Sequence, residues 1–327
     1  MKQRLFFGFP ASLAVLSVAF SVLPLSVEPA IQVPKDRPPA AQAGRGDGGQ
    51  EIGVLNVRLP VSVLDKEKNR FVTGLTVRNF EVYEDGKKQK IESFESPSQL
   101  PLRVGILMDT SNSVKLKLPT EKEAAEDFVA TILSKRKKDK ILFVTFDSEV
   151  QMHVDFTDSE EELIKAIRSV KANGYTRLYD AAYRVVEEKL ANPEAVDARR
   201  VLVVLSDGED TGSDRNLKES IEIAQNNDVT IFGISTKNFT GITRGMVTNE
   251  DDKLLRHLCD DTGGQLFLPS QKRELFESFT QVSYNLRSEY VLIYNPDNQK
   301  KTGKEREIKV KLIGVDGRMH YKPRYKY

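Results

Sequence analysis

Three stretches of this chain carry oxygen donors at the ends of apolar runs. In Val104-Gly-Ile-Leu-Met-Asp-Thr-Ser-Asn-Ser113, the residues Asp109, Ser111 and Ser113 occupy alternate positions just after a run with no polar alternation. Such a run reads as a central strand of a parallel sheet, covered on both faces. Asp109 then stands at the strand's carboxyl end, the edge of an open α/β sheet where ligands bind. The stretch Val201-Leu-Val-Val-Leu-Ser-Asp207-Gly208 closes in the same way on Asp207, and Gly174-Tyr-Thr176-Arg-Leu-Tyr-Asp180 puts Thr176 in a loop just ahead of a helix. Carboxylates and hydroxyls suit hard ions such as Mg²⁺, or Mn²⁺, which take octahedral oxygen coordination. Softer metals have no ligand set, because the chain holds 1 Cys and 3 His, namely His153, His257 and His320.

An Asp-x-Ser-x-Ser sequence, then a loop threonine, then a strand-end aspartate resembles the metal-ion-dependent adhesion site of the von Willebrand factor A family. Residues 102–286 have the length of one such domain. The resemblance implies that Ser111 and Ser113 hold the ion directly and that Thr176 does so directly or through water. It also implies that Asp109 and Asp207 mostly hold coordinated water. Neutral hydroxyls against the ion leave it under-neutralised, so an Asp or Glu carboxylate of a protein partner can complete its coordination.

The elements that must position these residues alternate along the chain. After the first strand, Thr120-Glu-Lys-Glu123 reads as a capping box, and Ala124, Ala125, Phe128, Val129 and Ile132 form the apolar stripe of a helix. Lys140–Asp147 reads as the next strand, with Val150–Phe156 antiparallel to it at the sheet edge, since the link is too short for a crossover helix. Thr157-Asp-Ser-Glu160 opens another helix as a capping box, carried inward by Leu163, Ile164 and Ile167. A helix over 178–190, the strand ending at Asp207, a helix over 217–225 and a strand over 229–235 follow. A long polar connection, 237–251, borders the same rim as Asp109. A helix over 253–259, a strand over 265–268 and a helix over 274–286 end the pattern. The expected fold class is α/β, a doubly wound, mostly parallel sheet with one antiparallel edge strand, over residues 99–287.

The flanks have a different period. Val57, Leu59, Val61 and Val63 alternate with polar positions and Pro60, the mark of a half-buried strand. Strands near 80–83 and 90–94 flank Glu84-Asp85-Gly86-Lys87, whose Asp-Gly favours a tight hairpin. Tyr290–Tyr294 and Ile308–Leu312 give further strands at the other end. Neither flank has strands enough to stand alone, so 51–98 and 288–327 are expected to pair into one small β-sandwich. The stretches Leu75–Gly86 and Tyr290–Pro296 are similar to those of the exported bacterial von Willebrand factor A-related proteins.

At the amino terminus, Lys2 and Arg4 precede an apolar stretch and the small residues Ala19-Phe-Ser21. Residues 1–27 read as a signal peptide or, uncleaved, an N-terminal anchor, which predicts a periplasmic, secreted or membrane-anchored protein. Residues 28–50, rich in Pro, Ala, Gly and charge, read as a disordered linker, and its Arg45-Gly46-Asp47 as a chance tripeptide. With 49 basic against 48 acidic residues, no global field points to nucleic acid, and Lys135-Arg-Lys-Lys138 reads as a solvated helix end. Cys259, amid leucines, reads as a buried small hydrophobe.

The expected function is a metal-dependent protein-binding module for adhesion or assembly, with no small-molecule substrate. The rival readings are a metal-dependent hydrolase or phosphoryl-transfer enzyme, and a structural envelope component whose site goes unused. A phosphohydrolase of the haloacid dehalogenase kind needs Asp-x-Asp, where this chain has Ser111, and no histidine stands out as a general base. A dinucleotide site is excluded by the absence of Gly-x-Gly-x-x-Gly after any strand.

Overall fold

The computed structural model describes residues 55–66, 71–95, 100–192, 198–237 and 250–327. The expected signal peptide, the linker with Arg45-Gly46-Asp47, and most of the 237–251 connection lie outside the described residues.

In chain order the elements are β1 (Val57–Leu64), β2 (Phe80–Glu84), β3 (Lys87–Gln89), β4 (Ile91–Glu95), β5 (Leu102–Asp109) and α1 (Leu118–Leu133). Then come β6 (Lys140–Phe146), β7 (Val150–Thr157), α2 (Glu160–Ser169), α3 (Leu178–Val185), β8 (Arg199–Ser206) and α4 (Leu217–Asn226). The chain continues with β9 (Val229–Ser235), α5 (Glu250–Asp260), β10 (Leu266–Phe267) and α6 (Lys272–Ser288). It ends with β11 (Tyr290–Tyr294), β12 (Glu305–Leu312), β13 (Arg318–His320) and β14 (Arg324–Lys326).

The large sheet runs β10-β9-β8-β5-β6-β7, all parallel except β7, which lies antiparallel to β6 at the edge. Its central strands are apolar on both faces because both are covered. Val104, Ile106 and Met108 of β5 pack with Phe128 and Ile132 of α1, Leu163 and Ile167 of α2, and Phe279 and Val282 of α6. Leu107, Leu202, Val204 and Ile231 pack on the other face with residues of α3, α4 and α5, among them the buried Cys259. This is the α/β, doubly wound arrangement with one antiparallel edge that the alternating pattern predicts.

The flanks form two antiparallel sheets, β13-β1-β11-β4 and β14-β12-β2-β3, whose inner faces share one core. Val57, Leu59, Val61 and Val63 of β1 meet Phe80 and Val82 of β2 and Ile308 and Val310 of β12 there. The Asp85-Gly86 turn has φ of 48° and 79°, the left-handed pair that a two-residue hairpin requires. The strand that returns to β2 is β3 alone. Residues 91–95 leave it and pair with β11 instead, so the expected strand over 90–94 belongs to the other sheet. Arg306 and Glu84, both buried, form an ion pair at 2.9 Å, and Tyr294 and Tyr325 donate their hydroxyls to the same carboxylate. Satisfying Glu84 with this many donors is what makes a buried charge tolerable.

Two helix starts differ from the expected ones. α1 begins at Leu118, with Pro119 in its first turn, where a missing N–H costs nothing, so Thr120 is already helical and caps nothing. Thr157 is committed to β7 opposite Ile141, and α2 is capped instead by Ser159, which accepts from the Glu162 N–H at 3.3 Å. The expected helix over 178–190 widens into π geometry for its last turn, Val186–Leu190.

Candidate metal centre

Asp109 is the last residue of β5, hydrogen-bonded on its two sides to β6 and β8, and is completely buried. Each carboxylate oxygen has a donor. The Ser111 N–H donates to Oδ1 at 2.8 Å, folding the chain back as an Asx turn, and the Ser206 hydroxyl donates to Oδ2 at 2.9 Å. The turn sets the Ser111 and Ser113 hydroxyls 2.9 Å apart, Ser111 buried and Ser113 exposed. Hydroxyls at that separation can share one ligand, and one of them faces solvent.

Three loops meet at this edge. The Asn112 N–H donates to the Gly174 carbonyl at 3.2 Å and the Asn173 N–H to the Thr110 carbonyl at 2.6 Å, which joins the loop after β5 to the loop before α3. Gly174 has φ +73°, and a Cβ there would meet Ser148 Oγ at 2.5 Å, so any side chain would be strained at this position. Buried Thr176 is held by its backbone. Its carbonyl accepts from the N–H groups of Thr211 and Gly212, both at 3.0 Å, and its N–H donates to Thr211 Oγ1 at 3.2 Å. Asp207, buried, follows β8 directly, with the Glu209 N–H on its Oδ1 at 3.3 Å. Asp210 caps α3 by accepting from the Leu178 N–H at 2.8 Å, which fixes where the loop of Thr176 ends.

The electrostatics are those of an anionic pocket in low dielectric. Burial pushes Asp109 up to about 7, helped by the charge of Asp207 and opposed by the Ser111 and Ser206 hydrogen bonds. Glu121, in the first turn of α1, is completely buried and pushed up to about 8, by burial first and then by the charge of Asp109. Neither of its oxygens has a hydrogen bond of ordinary geometry among the described residues, although the Thr236 hydroxyl is near enough to favour the anion. Lys117 is the cation that offsets part of this charge. Three carboxyl groups raised or buried around one edge, with two hydroxyls converging beside them, suit a divalent cation by donor chemistry and by charge. Among the described residues no three His, Cys, Asp or Glu side chains converge on one point, so a cation here would depend on the hydroxyls.

The structure thus brings Asp109, Ser111 and Ser113 into direct contact or near it, sets Asp207 within electrostatic range of them, and ties the loop of Thr176 to both neighbours. Ser206, Asp210 and Glu121 are parts of the same edge that the sequence reading passed over. Ser206 lay one residue before Asp207 at a strand end and was open to the same reasoning. Glu121 sat inside an apolar helical stripe, where its burial could have been noticed. His153 is elsewhere, with a ring nitrogen 2.8 Å from Thr145 Oγ1, and His257 is exposed on α5.

The von Willebrand factor type A domain matches residues 104–281, more than half of the 327 residues. The chain belongs to that family. Domains of the family are generally protein-interaction modules, and they often hold a divalent ion at the adhesion site. A search among curated proteins finds no match. Among solved structures, an aerotolerance-related membrane protein from Bacteroides fragilis is 14% identical, covering 56% of this chain and 98% of that one at a TM-score of 0.44. The von Willebrand factor domain of the type V pili tip protein Mfa5 from Porphyromonas gingivalis is 13% identical, covering 57% of this chain and 95% of that one at a TM-score of 0.45. A von Willebrand factor type A protein from Catenulispora acidiphila is 13% identical, covering 76% of this chain and 72% of that one at a TM-score of 0.48. No helix among the described residues is long and apolar enough to cross a membrane.

Proposed function

We propose that this A-type domain is a metal-dependent binding module that grips an acidic residue of a protein partner. Ser111, Ser113 and Thr176 would hold Mg²⁺, or Mn²⁺, with Asp109 and Asp207 acting mostly through water. The ion supplies a hard positive centre for an oxygen anion. The chain's own residues do the rest. Ser206 and the Ser111 N–H fix the Asp109 carboxylate, the Asx turn aims two hydroxyls at one point, and the exposed Ser113 leaves that point open to solvent.

One observation carries this reading: Asp109 is fully buried, doubly hydrogen-bonded and yet pushed up to about 7, beside converging hydroxyls at the ligand-binding edge of the sheet. A carboxylate kept in that condition is matched by a cation better than by any packing role. In this reading residues 99–287 are the binding domain, 51–98 with 288–327 its β-sandwich companion, 28–50 a linker, and 1–27 the signal peptide or anchor of an exported protein. The test is calorimetry or paramagnetic relaxation with Mn²⁺. Wild-type protein should bind weakly and Asp109→Ala should not bind while keeping its fold; equal binding by the two would remove the site.

A further inference from the structure

Among the described residues Glu121 is held only weakly by its polar surroundings, by the Thr236 hydroxyl and the charge of Lys117. It sits among Leu118, Ala124 and Ala125 in α1, completely buried, and neither carboxyl oxygen has a hydrogen bond of ordinary geometry among the described residues. The charged groups that face it are Asp109 at the end of β5, Asp207 after β8, and Lys117 just before α1. The Thr236 hydroxyl, after β9, is close enough to favour its anion, and among the described residues it too has no hydrogen bond of ordinary geometry. An apolar residue would fill this place without any desolvation penalty. A buried carboxyl in the field of two others is tolerated better if a positive charge arrives from outside.

We propose that Glu121 sets the charge of the metal centre: an inner carboxylate that is not a ligand, and that competes with the partner's carboxylate for the field of the bound cation. The inference rests on the metal-dependent reading above. As anions, Asp109, Asp207 and Glu121 carry three negative charges, which a divalent ion and Lys117 would match within this group; buried Asp252 is held apart from it by the Ser235 hydroxyl. Glu121→Gln would keep the shape and leave one surplus positive charge at the site. The ion would then be held less tightly and an external carboxylate more tightly. One residue therefore trades ion affinity against partner affinity.

The experiment uses the full chain as wild type, Glu121→Gln, Glu121→Asp and Asp109→Ala. Mn²⁺ affinity is read from the electron paramagnetic signal of the free ion, and acetate serves as the carboxylate probe, followed by its relaxation on the Mn²⁺-loaded protein. The expected result is a loss of about tenfold in Mn²⁺ affinity for Glu121→Gln, partial recovery for Glu121→Asp, and a several-fold gain in acetate affinity for Glu121→Gln. Thermal melts in chelator should place Glu121→Gln no lower than wild type. Unchanged Mn²⁺ affinity in Glu121→Gln, with binding lost in Asp109→Ala, overturns this proposal alone. A Glu121→Gln melt well below wild type in chelator also overturns it, since Glu121 would then be a structural prop. Binding that survives Asp109→Ala overturns the metal reading itself.

Discussion

The Ser206 hydroxyl spans two neighbouring strands: it donates to Asp109 Oδ2 at 2.9 Å and accepts from the Gly208 N–H at 3.0 Å. Asp109 closes β5 and Ser206 closes β8, so one small side chain locks the two strand ends that carry the site's aspartates. Ser206→Ala would leave a buried carboxylate oxygen without its donor. The expected cost is roughly 1–3 kcal/mol of stability in chelator, together with weaker Mn²⁺ binding. Urea unfolding beside a Mn²⁺ titration checks both, and a variant matching wild type in each would show that Ser206 orients nothing.

Asp109 and Glu121 make the metal-free protein sensitive to alkali. Their folded values of about 7 and about 8 lie above the ordinary 3.8 and 4.5, so between about pH 4 and 8 the folded state binds more protons than the unfolded one. Stability of the metal-free chain therefore falls as pH rises through that window, by a few kcal/mol in order of magnitude, and levels off above it. Urea midpoints at pH 5 and pH 9 should show the fall, and saturating Mg²⁺ should flatten it, because the cation favours the anions. A metal-free midpoint that rises toward pH 9 contradicts this.

Gly174 links the loop after β5 to the loop of Thr176. A methyl group there would meet Ser148 Oγ at 2.5 Å in a backbone conformation with φ +73°. Gly174→Ala is expected to cost on the order of 1–3 kcal/mol and to lower Mn²⁺ affinity by shifting Thr176. Chemical denaturation and the same titration read the two effects; full Mn²⁺ affinity would mean that Thr176 keeps its place without this bridge.

β1 depends on the far end of the chain. Its partners are β11 on one side and β13 on the other, both contributed by residues after 288. Deleting 288–327 should therefore abolish hydrogen-exchange protection over Val57–Val63. Unchanged protection there would show that β1 does not rely on these partners.

The parts of this molecule that follow from local pattern were legible in its sequence. The apolar runs ending at Asp109 and Asp207 stood out because a strand covered on both faces has no reason to alternate. Helix starts were less legible, since Thr120 and Ser159 both offer capping chemistry and the outcome depends on Pro119 and on the pairing of Thr157 with Ile141. The switch of residues 91–95 to the other sheet depends on β11, about 200 positions away, and no local signal carries it. Glu121 was half legible: it falls at helical spacing from Ala124, Ala125 and Phe128, but a glutamate near a helix start is ordinarily a favourable surface charge, and only tertiary packing brings it into the field of Asp109.

The basic run at Lys135–Lys138 bears on how a partner is attracted. It precedes β6, and Lys140 of that strand pairs with Arg103 at the opposite end of β5 from Asp109. Six residue steps of strand separate those levels, about 20 Å at the usual rise, with exposed Lys137 farther out. That is more than twice the screening length of roughly 8 Å at physiological ionic strength. A charge there adds only a screened long-range term, whereas Ser113 would lie against the ion and Thr176 against it or one water away. Lys137→Glu should thus change acetate affinity of the Mn²⁺-loaded protein by less than about twofold, and only at low salt. Ser113→Ala and Thr176→Ala should each lower Mn²⁺ affinity by about tenfold or more, at any salt concentration, because each removes an oxygen that desolvates the ion. Titrations of the three variants at two ionic strengths separate these cases. If carboxylate binding survived chelation and collapsed in Lys137→Glu, attraction would come from the basic run at the opposite end of the sheet, and the hydroxyls at the Asp109 edge would not be the means of recognition.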